Sequence, residues 1–164
     1  MDLTKYTRKD LLLTAIKSEI DSHRIYSHLA KQVNNGLMKD KFNFLASEEM
    51  KHKQFLESIY DQEFSLDNLV LPEQSPVPLP EVNVPENEDI SISKVLSQSI
   101  DAEKAAADFY SSLSKQFDDR NIQHMLHYFS DMELGHMRLL EQEKESMEWF
   151  EQADVYWPMI HAGP

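Results

Sequence analysis

The stretch LASEEMKHKQFL, residues 45–56, sets two ionisable groups inside an apolar stripe. Positions 45, 49, 52 and 56 recur at the spacing of one helical face. Leu45 and Leu56 bound that face, and Glu49 and His52 occupy its middle. Working outward, Phe42 and Ile59 extend the stripe at both ends. An amphipathic helix turns its apolar stripe toward a core, so the pattern places a carboxylate and an imidazole where greasy side chains belong.

The arrangement occurs twice. A shift of 84 positions carries Glu49 onto Glu133, His52 onto His136, Leu56 onto Leu140 and Phe44 onto Tyr128. The segment upstream repeats with the same offset and no gap: Leu12 falls on Leu96, Ile16 on Ile100, Glu19 on Glu103, Tyr26 on Tyr110, Leu29 on Leu113 and Gln32 on Gln116. There too a carboxylate interrupts the stripe. Glu19 sits among Leu12, Ala15, Ile16, Tyr26, Leu29 and Val33. Glu103 sits among Leu96, Ile100, Ala106, Ala107, Tyr110 and Leu113. Glu133 and His136 sit among Ile122, Met125, Leu126, Phe129, Leu139 and Leu140.

These periodicities predict four helices, over about 8–33, 37–60, 92–117 and 120–150. Asn34, Asn35 and Gly36 stop the first. The connections then set the topology. Helices one and two are joined tightly, as are three and four, so each pair forms an antiparallel hairpin, 8–60 and 90–150. Between them lies a crossover, 61–89, with Pro72, Pro76, Pro78, Pro80 and Pro85. It is long enough to run the length of a bundle. A lone hairpin cannot bury both its apolar faces, so the hairpins are expected to dock in one domain, 1–164, as an all-α, ferritin-like four-helix bundle with a pseudo-twofold axis. The aromatic end MEWFEQADVYWPMIHAGP, with 151–164 as a C-terminal extension, reads as a packed segment rather than a docking tag.

Composition narrows the chemistry. The chain has 164 residues, no cysteine and a formal charge of −13. Without thiolates there is no disulfide, iron–sulfur cluster, cysteine nucleophile or rubredoxin-type iron site in these residues. The negative surface repels nucleic acid and anionic membranes and concentrates cations. No apolar run reaches membrane-spanning length and no signal-peptide pattern opens the chain, so a soluble, cytoplasmic protein is expected.

Four buried carboxylates without compensation would cost several kcal/mol per ion and repel one another. Two divalent cations balance them. A Glu from each of two helices, with Glu-x-x-His from each of the other two, is the ligand set of dinuclear carboxylate bundles. Residues three apart share a helix face, so each Glu-x-x-His can reach one centre. Glu49 and Glu133 are expected to bridge. Glu19 and His52 would complete one ion, and Glu103 and His136 the other. Polar residues in a wet core are the alternative. Carboxylate and imidazole ligands suit iron or manganese, and zinc can occupy similar sites; iron is preferred because it is redox-active.

The runs Glu19-x6-Tyr26 and EKAAADFY (103–110), with EEMKH (48–52) and MELGH (132–136), resemble the rubrerythrin family over about residues 10–145. The resemblance implies a pair of iron ions that reduces hydrogen peroxide or dioxygen, with electrons from an external donor. It implies that Tyr26 and Tyr110 donate hydrogen bonds to ligand carboxylates, although plain core aromatics fit the same positions. Rubrerythrins proper carry a rubredoxin module and a further carboxylate one turn after the third-helix ligand. Here that place is Ala106. The departure implies a symmetric site, as in simpler erythrin-like and bacterioferritin-like members, and keeps iron oxidation for storage or delivery as a second reading. A helical binding module without enzymatic activity is the third. A homodimer or larger homo-oligomer is expected. Met50, at a position where bacterioferritins can bind haem, reads as a surface or interface methionine. His23, His28, His124 and His127 read as solvent-facing or interface groups.

Overall fold

The computed structural model describes residues 1–82 and 92–160, with side chains as far as 149. Helix α1 spans Arg8–Gln32, α2 Gly36–Phe64, α3 Ile92–Leu113 and α4 Arg120–Ile160, with 3-10 turns at Leu66–Asn68 and Ser114–Gln116. There is no strand among the described residues.

Local chemistry fixes the ends. Thr7 caps α1 by accepting from the Asp10 amide, and the Asp10 carboxylate accepts from the Thr7 amide in return, a capping box that satisfies two otherwise orphaned donors. Asn35 accepts from the Met38 amide and so opens α2 directly after α1 closes. Asp119 accepts from the amides of Asn121 and Ile122 at the start of α4. Two helices outrun the expected boundaries. Helix α2 continues through Asp61–Phe64, and α4 reaches Ile160 instead of ending near Phe150. Neither stretch contains a glycine, nor a proline before Pro158, so nothing in the backbone chemistry stops the helix earlier. The stop of α2 is Ser65, at φ 64°.

Helices α1 and α2 pack along each other, as do α3 and α4, while α1 approaches α3 and α2 approaches α4 near the middle. The relative directions follow from side chains. Tyr26 of α1 donates to Glu103 of α3, and Tyr110 of α3 donates to Glu19 of α1. Each tyrosine lies seven residues beyond its own helix's glutamate, so reciprocal pairing requires α1 and α3 to be antiparallel. The repeat is thus a pseudo-twofold axis running across the bundle through these residues.

The crossover is docked. The Val77 amide donates to Thr14 Oγ1 at 3.3 Å, Ser75 lies beside the same hydroxyl, and Val77 is 2 % exposed. The apolar core is split in two. One part gathers Leu12, Ile16, Leu56, Ile59, Leu113 and Phe129; the other gathers Tyr26, Leu29, Leu45, Leu96 and Leu140. The ionisable residues of the stripes form the layer between them. Pro85 and residues 83–91 of the crossover lie outside the described residues, as do the side chains from 150 onward and the expectation that 151–164 packs as an extension. No described helix is long and apolar enough to cross a membrane.

Candidate metal centre

Six stripe residues from four helices converge on the middle of the bundle. Glu19, Glu49, His52 and Glu133 offer ligand atoms all within 4.8 Å of one another, and so do Glu49, Glu103, Glu133 and His136. Glu49 and Glu133 belong to both groups. All six are buried, between 1 % and 4 % exposed. His52 Nδ1 lies 3.0 Å from Glu133 Oε1 and 3.4 Å from Glu19 Oε2. His136 Nδ1 lies 2.9 Å from Glu133 Oε2 and 3.2 Å from Glu49 Oε1.

His136 Nδ1 and Glu133 Oε2 form a hydrogen bond, but much of the cluster is left unpaired. Glu19 Oε2, Glu49 Oε1, Glu133 Oε1 and both ring nitrogens of His52 are buried with no hydrogen-bond partner. Buried polar atoms are almost always satisfied, and leaving several orphaned in one place costs a few kcal/mol. Their lone pairs converge instead on shared points, as ligand atoms do around a cation. The donor set, four carboxylates and two imidazoles, fits a pair of divalent ions.

Protonation supports the same fit. Burial, then the charge of Glu49, pushes the Glu19 carboxyl well above its usual range. Burial, then Glu133 and Glu49, does the same to Glu103. Burial disfavours the charged form of His52, but the close carboxylates of Glu133, Glu19 and Glu49 outweigh it and raise the imidazole to about 12. His136 is raised likewise, by Glu103, Glu133 and Glu49 against burial. Glu133 is held low by His136 and His52, again against burial. Without metal these shifts all favour extra protons on Glu19, Glu103, His52 and His136, at the positions where cations would otherwise balance the carboxylates.

Around the cluster, Tyr26 and Tyr110 are fully buried and keep their protons, because burial and then the neighbouring glutamates raise them. Each fixes one carboxylate of the opposite hairpin. The His52 ring lies against Phe129 on the α2–α4 side, centroids 4.2 Å apart.

The other described histidines stand apart. His23 is not solvent-directed as expected: its Nδ1 lies 2.7 Å from the Ala46 carbonyl and ties α1 to α2. His28 is half-buried rather than exposed. His124 and His127 are exposed, and Met50 is half-buried. Sequence reasoning passed over Ser18, Ser22, Ala102, Glu73 and Glu81, which line a cavity leading to the cluster. Half the signal was in the repeat, since Ser18 maps onto Ala102 and Ser22 onto Ala106. The crossover's share was not, because nothing in a proline-rich segment says which groove it covers.

Fold and site together define a ferritin-like bundle with a buried carboxylate–histidine cluster able to bind metal. The sequence model of the rubrerythrin family matches residues 10–144. A solved structure, a hypothetical protein from Pyrococcus furiosus, superposes with a TM-score of 0.79 at 31% sequence identity, covering 90% of this chain and 95% of that one. No curated protein matches the chain significantly. The chain belongs to the rubrerythrin family.

Proposed function

We propose that the protein is a non-haem di-iron oxidoreductase that oxidises ferrous iron while reducing hydrogen peroxide or dioxygen. The observation that carries this reading is the pair of ligand groups sharing Glu49 and Glu133, with buried oxygen and nitrogen atoms left unpartnered between them. Glu19 and His52 would hold one ion, Glu103 and His136 the other, and Glu49 and Glu133 both.

Iron held there would supply the electrons for reducing peroxide or dioxygen. The chain does the rest. Tyr110 and Tyr26 hold Glu19 and Glu103 by O–H donation, so neither carboxylate swings out of the cluster. The two apolar cores, above and below the layer, exclude bulk water along the bundle axis and strengthen the electrostatics within. The paired carboxylates and imidazoles give up their protons as metal enters and can take them back as it leaves.

Ala106, where rubrerythrins proper place a further carboxylate, favours a symmetric site. It is the specific reason to keep oxidation of iron for storage or delivery as a second reading; assembly into a cage, seen by sedimentation, would select it. These residues hold no cysteine for a rubredoxin-type donor, and the reading takes electrons from an external donor.

The test is anaerobic loading with ferrous iron, counting of bound ions, then separate additions of peroxide and dioxygen while oxo-to-iron absorption is followed. Two ions per chain and a rapid response to one oxidant are expected. A protein that loads iron yet reacts with neither oxidant is not an oxidoreductase of this kind.

A further inference from the structure

A cavity among the described residues reaches the buried cluster. Its volume is about 270 Å³, and it lies between α1, α3 and residues 73–82 of the crossover. Glu19, Glu49, Glu103 and Glu133 line it, each at most 3 % exposed. Three of their oxygens, Glu19 Oε2, Glu49 Oε1 and Glu133 Oε1, have no hydrogen-bond partner.

The walls beside those carboxylates are small. Ser18 and Ser22 of α1, and Ala102 and Ala106 of α3, line the cavity. They stand one residue before and three after Glu19 and Glu103, which is the same helical face. Both hairpins thus keep short side chains where a leucine would close the seam. On the α2–α4 side the large Phe129 ring lies against His52.

Outside the cluster the lining carries three acids, Asp21, Glu73 and Glu81, against two bases, Lys17 and Arg24. Lys17 and Arg24 both pair with Asp21, at 3.0 and 3.7 Å. That leaves Glu73 and Glu81, both exposed, as the acids that the crossover adds to the cavity lining. Negative charge around a cleft with low-dielectric walls focuses the field and enriches cations inside.

We infer that divalent cations reach the cluster through this cavity, past the throat formed by Ser18, Ser22, Ala102 and Ala106, with Glu73 and Glu81 drawing them in. The inference rests on the metal-binding reading given above.

The probe is cobalt(II) alone, added anaerobically to the full chain and followed by stopped-flow absorbance, with bound metal counted after gel filtration. Ala106→Leu should still bind two ions but load roughly tenfold more slowly, because a close-packed wall must then move for each ion. Ala106→Ser, which keeps the wall small, should load at the wild-type rate. Unchanged stoichiometry separates a blocked path from a lost ligand. Should Ala106→Leu fail to fold, the double variant Glu73→Gln/Glu81→Gln decides. It should load about fivefold more slowly at low salt, with the difference vanishing at high salt. Asp40→Asn/Glu141→Gln, outside the cavity, should not slow loading. The route is overturned if Ala106→Leu loads at the wild-type rate, or if Glu73→Gln/Glu81→Gln loads no slower than the outside pair. Wild-type protein that takes up no cobalt at all refutes the metal reading and the route with it. Wild-type uptake of two ions with indifferent variants refutes the route alone.

Discussion

Glu49 and Glu133 are the two residues that both ligand groups share. Replacing both with Ala should abolish binding of two ions, because each ion loses two of its neighbours at once. Without metal the double variant should be no more stable than the wild type, since the buried imidazoles of His52 and His136 lose the carboxylates that pair with them. Metal analysis checks this, and two ions retained in the double variant would refute the assignment. The tyrosines make a subtler case. Tyr110→Phe removes the O–H that fixes Glu19 and leaves the ring's packing intact. Loss of such an orienting partner should weaken metal affinity roughly 10- to 100-fold. Tyr26→Phe should do the same through Glu103. Anaerobic cobalt titration measures both, and unchanged affinity would make these rings plain core aromatics. At this scale the sequence was informative for a definite reason: a carboxylate on an apolar stripe is expensive, so it announces itself. His23 shows the limit. Its bond to the Ala46 carbonyl depends on how closely α1 and α2 approach, which its neighbours in sequence do not encode.

At the scale of elements, the crossover is the part that composition describes least. Proline keeps it out of helices and leaves it extended. Its attachment comes from Thr14, whose hydroxyl accepts from the Val77 amide. Thr14→Val keeps the shape and removes that acceptor, leaving the buried amide unpaired at a cost of about 1–3 kcal/mol. The metal-free variant should melt at lower temperature, and faster hydrogen exchange at Val77 would localise the change. An unaltered exchange rate there would mean that the strap is held by apolar contact alone. The ends of α2 and α4 teach the same lesson. Local propensity allowed both helices to run on, and an aromatic tail looked like a boundary only because its packing was unknown.

For the whole molecule, protons and metal compete for one cluster, which gives a pH dependence of definite sign. Glu19 and Glu103 are raised above 4.5, and His52 and His136 above 6.5. Each raised group favours the folded state below its unfolded value and loses that contribution as pH climbs toward its folded value. Glu133 is depressed, so its contribution is complete above 4.5 and fades only in acid. Above 6.5, where an unfolded histidine has lost its proton and His52 keeps its own up to about 12, the metal-free fold therefore holds more protons than the unfolded chain, and its melting temperature should fall as pH rises. Metal binding releases those protons, so stabilisation by metal should grow over the same range. Thermal melts with cobalt and with a chelator should diverge with pH. A gap that stays constant would show that the cluster carries no displaceable protons.

The sequence by itself determined the four helices, their pairing into hairpins, the internal repeat and the identity of the six polar residues on the stripes. Helical periodicity and the cost of burying charge are local properties, and both can be read along one chain. Only the tertiary structure decided that α1 and α3 run antiparallel, that each tyrosine serves the other hairpin's glutamate, and that the crossover roofs a cavity above the carboxylates. Those facts depend on distances between segments far apart in the chain, and such distances are set by packing, which no periodicity contains.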